Sequence, residues 1–69
     1  MIKVAIVGAA GRMGQALVRA ARGDDQVAVV AAVERSGHPA LGRDAGQVAG
    51  LGEIGIAIGA DLRAAAAAA

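Results

Sequence analysis

The segment Ile2-Lys3-Val4-Ala5-Ile6-Val7-Gly8-Ala9-Ala10-Gly11-Arg12-Met13-Gly14 joins an apolar run to a glycine-spaced turn, and an amphipathic stretch follows at once. A β-branched, nearly continuous apolar run that stops at a glycine reads as a buried parallel strand. A turn without bulky side chains, opening directly into a helix, brings main-chain N–H groups to a helix N-terminus. That order of elements suits a dinucleotide pyrophosphate, an anion that the helix dipole and the terminal amides both favour.

Working outward, the apolar positions Met13, Ala16, Leu17, Val18, Ala20 and Ala21 recur at three- and four-residue spacing. They predict a helix over 13–22 that packs one face on a sheet, with Gln15, Arg19 and Arg22 on the other side. Arg19 and Arg22 suit the negative end of that helix, and Gly23 suits the position just past it. Asp24-Asp25 makes a polar turn, and Val27–Val33 is a second apolar run that ends at Glu34-Arg35. Strand, helix and strand fit within about 30 residues, the length of a right-handed βαβ crossover.

Residues 36–52 are rich in glycine and lack sustained periodicity, so they read as an extended loop containing one short helical turn. Residues 54–58 read as a third short strand, and Asp61 as the N-cap of an alanine-rich helix. The fold class is therefore α/β. It is a Rossmann-like parallel sheet with crossover helices, represented by its N-terminal βαβ unit, a third strand and the start of a helix. Residues 1–69 form the first portion of a dinucleotide-binding domain on this reading, and the chain reads as the front part of something larger.

Three glycines carry the chemistry. Gly8 permits a sharp exit from the strand, Gly11 lets an anion approach the backbone, and Gly14 lets the helix pack closely on the strand. Ala10 stands where the strict G-x-G-x-x-G pattern has its middle glycine. An acid is expected about 20 residues beyond such a turn, and Glu34 lies 34 − 14 = 20 residues after Gly14. Its carboxylate can accept hydrogen bonds from the adenosine ribose hydroxyls, whereas the neighbouring Arg35 can hold a 2′-phosphate bidentately. Both NADH and NADPH are thus compatible. The plainer alternative leaves Glu34 and Arg35 as solvated charges at a strand end. Arg12 either reaches a phosphate or is simply an exposed arginine of the first helical turn.

His38 reads as a surface residue of a loop, and Asp44 as a turn-former rather than a metal ligand. No Ser-His-Asp set, carboxylate pair or metal-ligand cluster is evident, so no catalytic and no metal-binding residue is assigned.

Composition narrows the classes further. A formal net charge of +1 and the absence of Phe, Tyr and Trp argue against a nucleic-acid partner. With no cysteine there is neither a disulfide framework nor a thiolate metal site. The apolar opening is too short for a membrane span or a signal-peptide core, so no membrane partner is expected and the cytoplasm is the expected location.

Val4 to Gly14, with its Gly-Arg-Met-Gly ending, resembles the N-terminus of the dihydrodipicolinate reductases. The resemblance continues through Ala32-Val33-Glu34-Arg35, Leu41-Gly42-Arg43-Asp44-Ala45-Gly46 and Gly55-Ile56-Ala57-Ile58, covering all but the alanine tail. It implies an NADH- or NADPH-dependent oxidoreductase of diaminopimelate and lysine biosynthesis, which transfers a hydride to a cyclic dihydrodipicolinate precursor.

It also implies cofactor contacts from Gly8, Ala9, Ala10, Gly11, Arg12 and Met13 at the pyrophosphate, from Glu34 at the ribose and from Arg35 at a 2′-phosphate. The family's catalytic groups, small-molecule substrate site and homotetramer contacts belong to a later domain, which these residues do not contain. Two other readings remain open at this point. One is an extended short-chain dehydrogenase or epimerase, which shares the glycine spacing. The other is a stand-alone module that senses NAD.

Overall fold

A computed structural model describes residues 1–69. The elements run β1 (Ile2–Val7), α1 (Arg12–Arg22), β2 (Val27–Val33), α2 (Ala45–Val48), β3 (Ile58–Gly59) and α3 (Leu62–Ala68). The strands form one sheet in the order β1-β2-β3, and both pairings are parallel. This is the α/β crossover arrangement expected from the sequence. Ile2 pairs with Val27 and Val7 with Val33, but the register slips by one residue after Val4, leaving Val30 outside the pairing.

The core lies where α1 and the 40–58 segment meet the sheet. Its main cluster comprises Ile6, Ala9, Val18, Ala32, Ala40, Ala45, Ala49 and Ile58. Val33 and Ala65 are buried outside that cluster, and α3 lies against β2 and β1.

Several expectations need correction. The strand β1 is not buried along its length: Ile2 and Val7 are exposed and Ile6 alone is fully covered, because β1 sits at the sheet edge with β2 on one side only. The packing face of α1 is also narrower than its apolar spacing suggests. Gly14 and Val18 are buried, whereas Met13 is 72% exposed and Leu17, Ala16 and Ala20 also face solvent. Periodicity identifies the helix, but the width of the sheet beneath decides how much of the apolar arc is covered.

The third strand is only Ile58–Gly59, not 54–58. Positive φ at Gly55 bends the chain before it, and Ala57 instead forms an antiparallel bridge with Asp44. The 36–52 segment does contain the short helical turn, as α2, but it is folded tightly rather than extended. Gly42 donates to the Ile58 carbonyl, Ala45 to that of Ile56, and Ile58 to that of Arg43.

Asp44 organises this segment. Its Oδ1 accepts from the amides of Gly46, Gln47 and Ile54 at 2.8, 3.2 and 3.0 Å, and its Oδ2 from those of Gly55 and Ile56 at 2.7 and 3.2 Å. The turn-forming role is therefore much larger than a local N-cap. As expected, Asp61 caps α3, accepting from the Ala64 amide at 2.9 Å.

Candidate functional site

The C-terminal ends of the three strands are bound together by their backbones. Gly8 and Ala9 donate to the Val33 carbonyl at 2.9 and 3.1 Å, and Glu34 donates to that of Gly59 at 2.9 Å. The chain leaves β1 with Gly8 at φ +72, a conformation that glycine adopts without steric cost. A tight turn closes with Gly11 donating to the Gly8 carbonyl at 3.0 Å, and α1 begins at Arg12.

The start of α1 is uncapped. Gly11 occupies the N-cap position without a side chain to accept from the helix, and no acidic residue lies in the first turn. The first intrahelical bond runs from Gln15 to the Gly11 carbonyl at 2.9 Å, leaving the N–H groups of Arg12, Met13 and Gly14 without an acceptor in the chain. Three donors at the positive end of a helix form an anion-receptive surface.

The amides of the turn itself are differently disposed from what the sequence suggests. Those of Gly8, Ala9 and Gly11 are bonded to backbone carbonyls, and that of Ala10 donates to Glu34 Oε2 at 2.9 Å. Free donors therefore begin at Arg12, one helical turn later than a bare loop would offer. Ala9 and Ala10 shape the bend and contribute no free N–H.

The three glycines are needed for different reasons. A Cβ at Gly14 would collide with the Gly8 carbonyl and lie 2.7 Å from Ala9 Cα, so this position fixes the approach of α1 to the turn. A Cβ at Gly11 would meet only the Gly8 carbonyl oxygen, at 3.4 Å, and its φ of −78 is open to any residue. No internal contact explains that glycine. Apart from that oxygen and the adjoining residues, the space around such a Cβ is open.

Glu34 is brought to the same bend. Besides the Ala10 contact, its Oε1 accepts from the Arg35 amide at 3.3 Å. The Ala10 hydrogen bond holds the carboxyl below its ordinary value; partial desolvation opposes this, while the Arg35 amide and the charges of His38 and Arg35 reinforce it. It is therefore ionised at neutral pH, with Oε1 only weakly engaged. The side chains of Arg12 and Arg35 are exposed beside this bend.

His38 is half-buried rather than a plain surface residue, and its Nδ1 accepts from the Ala40 amide at 2.9 Å. That bond ties down the loop after β2. No group of three or more His, Cys, Asp or Glu residues is arranged to hold a metal ion.

Sequence reasoning missed two participants. Gln15 donates from Nε2 to the Ala10 carbonyl at 2.8 Å, a contact that the amphipathic pattern, which sets Gln15 on the solvent side, cannot show. Arg19 donates to the Ala49 carbonyl at 3.1 Å, binding α1 to the end of α2. A signal for α2 was present: Asp44-Ala45-Gly46-Gln47 has an N-cap acid followed three residues later by glutamine.

Comparison with known proteins now bears on this geometry. The family model described as "Dihydrodipicolinate reductase, N-terminus" matches residues 2–69. The chain belongs to the dihydrodipicolinate reductase family. A 4-hydroxy-tetrahydrodipicolinate reductase from Alkalilimnicola ehrlichii is 54% identical over 67 residues, covering 97% of this chain and 25% of the relative. The enzyme of the same name from Citrifermentans bemidjiense is 52% identical over 64 residues, covering 93% and 24%. That from Sinorhizobium medicae is 53% identical over 57 residues, covering 83% and 21%.

The chain thus spans about a quarter of the length of these dihydrodipicolinate reductase relatives. Neither the short-chain dehydrogenase reading nor the stand-alone sensor is favoured by these matches. No helix is long and apolar enough to cross a membrane.

Proposed function

We propose that this chain supplies the nucleotide-binding N-terminus of a 4-hydroxy-tetrahydrodipicolinate reductase and holds NADH or NADPH at the bend between β1 and α1. One observation carries the proposal: the ionised Glu34 carboxylate is bonded to the bend at Ala10, the unbonded amides of Arg12 and Met13 follow directly after it, and the intervening Gly11 carries no side chain. The donors suit a pyrophosphate, and the acid suits ribose hydroxyls.

The cofactor, when bound, supplies the hydride for reduction of the cyclic dihydrodipicolinate precursor. This chain's own part is positioning. The amides of Arg12 and Met13 donate to phosphate oxygens, Gly8, Ala9 and Ala10 shape the bend, and Arg12 adds an exposed positive charge. Glu34 Oε1 accepts from the ribose, and Arg35 stands beside it for a 2′-phosphate. The small-molecule substrate, the catalytic groups and the homotetramer contacts are assigned to a further domain, and the complete enzyme to the cytoplasm.

Calorimetric titration with NADH and NADPH tests the reading. Both are expected to bind, and Gly11→Val is expected to abolish binding while the far-ultraviolet circular dichroism stays unchanged, because the new methyls fill the approach to the amides. Unaltered affinity in a folded Gly11→Val variant excludes the assigned phosphate contact.

A further inference from the structure

We infer that Gln15 is a positioning residue for the nucleotide, acting through the backbone of Ala10; this rests on the nucleotide-binding reading and deepens it. Ala10 is gripped on both sides. Its N–H donates to Glu34 Oε2 at 2.9 Å and its carbonyl accepts from Gln15 Nε2 at 2.8 Å. The two gripping side chains come from different elements, Glu34 from the end of β2 and Gln15 from the second turn of α1. Ala10 is therefore the point at which strand and helix are cross-linked through the turn.

Gln15 is itself fixed at its backbone, where its N–H donates to the Gly11 carbonyl at 2.9 Å. One residue thus holds two successive carbonyls of the turn, that of Ala10 with its side chain and that of Gly11 with its main chain. The Ala10 carbonyl shares its peptide plane with the Gly11 N–H, and the Gly11 carbonyl shares its plane with the Arg12 N–H. The turn leading to the free Arg12 amide is thus set before any ligand arrives. Preorganisation of this kind improves affinity by removing an ordering cost, not by adding a contact to the ligand.

The grip on the Ala10 N–H also explains how one carboxylate can serve two purposes. Oε2 is committed to the turn and Oε1 is left for the ribose. The Ala10 N–H and carbonyl lie in successive peptide planes that meet at Ala10 Cα, so Glu34 holds one plane and Gln15 the next. By fixing the second plane Gln15 restrains Ala10 as a whole, and its influence extends to the ribose end of the site without touching it.

The test uses Gln15→Met, which keeps length and loses the donor, and Gln15→Lys, which restores a donor. In the full chain, Gln15→Met is expected to raise the Kd for NADH by about five- to tenfold, the size of one hydrogen bond between neutral groups. Exchange of the Ala10 amide is expected to quicken in the free protein. Gln15→Lys is expected to return the exchange rate toward that of the unaltered chain, a readout that added positive charge at the phosphate does not supply. An unchanged Kd in Gln15→Met, with the unaltered chain binding NADH, overturns the positioning role alone. Unchanged Ala10 exchange overturns it as well. Failure of the unaltered chain to bind NADH removes the nucleotide reading and this role together.

Discussion

Gly11 and Gly14 stand three residues apart in one motif, yet the physical demands on them differ. At Gly14 the demand is internal, since any Cβ enters the space of the Gly8 carbonyl and Ala9 Cα. At Gly11 it is external, since neither φ nor neighbours exclude alanine. Gly14→Ala is accordingly expected to destabilise the fold by roughly 3 kcal/mol through overpacking against backbone that cannot yield. Gly11→Ala is expected to cost about 1 kcal/mol, the difference between glycine and alanine at an N-cap. Urea unfolding of the two variants checks this, and equal midpoints would contradict the separation of roles. The motif itself was legible from the sequence, as were Glu34 and its distance from the turn. Which amides are free was not, because that depends on the Val33 carbonyl and the Glu34 carboxylate, groups more than 20 residues away in the chain.

Among the elements, the 36–57 segment shows why a glycine-rich stretch without periodicity need not be loose. Asp44 gathers five amides, three of them ten to twelve residues further along, and ionisation is what allows both oxygens to act only as acceptors. The Ile54 amide is the main cause of its depressed pKa, with desolvation opposing and the amides of Gln47, Gly55 and Gly46 assisting. Asp44 and Glu34 both titrate below their ordinary values of 3.8 and 4.5 in the folded chain. The stability they contribute is thus complete above those ordinary values and is lost as pH falls through the lowered folded ones. Thermal midpoints are expected to stay level from neutral pH down to about 5.5 and to drop below the ordinary carboxylate range. In Asp44→Asn the midpoint at neutral pH should fall by roughly 5–10 °C and the acid limb should flatten. An acid limb identical to that of the unaltered chain would show that Asp44 is not its source. Local pattern revealed β1, α1, β2 and the cap of α3, because their signals lie within one element. The Asp44 knot and the truncated β3 escaped notice because they are made by pairings between segments.

For the whole molecule, the decisive quantity is how little side-chain volume the core contains. Six of the ten buried hydrophobic residues are alanines, namely Ala9, Ala32, Ala40, Ala45, Ala49 and Ala65, and only Ile58 and Val18 are large and fully enclosed. Meanwhile Ile2, Val7, Met13 and Leu17 remain exposed, and a shallow apolar groove of ≈ 250 Å³ runs between Val4, Ile6, Leu17, Ala20 and Val27. Such a core confers a narrow stability margin. Binding energy at the β1–α1 bend therefore constitutes a large fraction of the total, because any ligand that engages only the folded state stabilises it by mass action. At NADH a hundredfold above its Kd the gain is about 2.7 kcal/mol. In a chain of this size that gain should raise the thermal midpoint by roughly 10–20 °C. Gly11→Val, which closes the approach to the amides while leaving the buried residues untouched, should abolish the increase. Scanning calorimetry of both chains with and without NADH decides the matter: a midpoint indifferent to NADH in the unaltered chain, or an undiminished rise in the variant, would place the nucleotide elsewhere than at this bend.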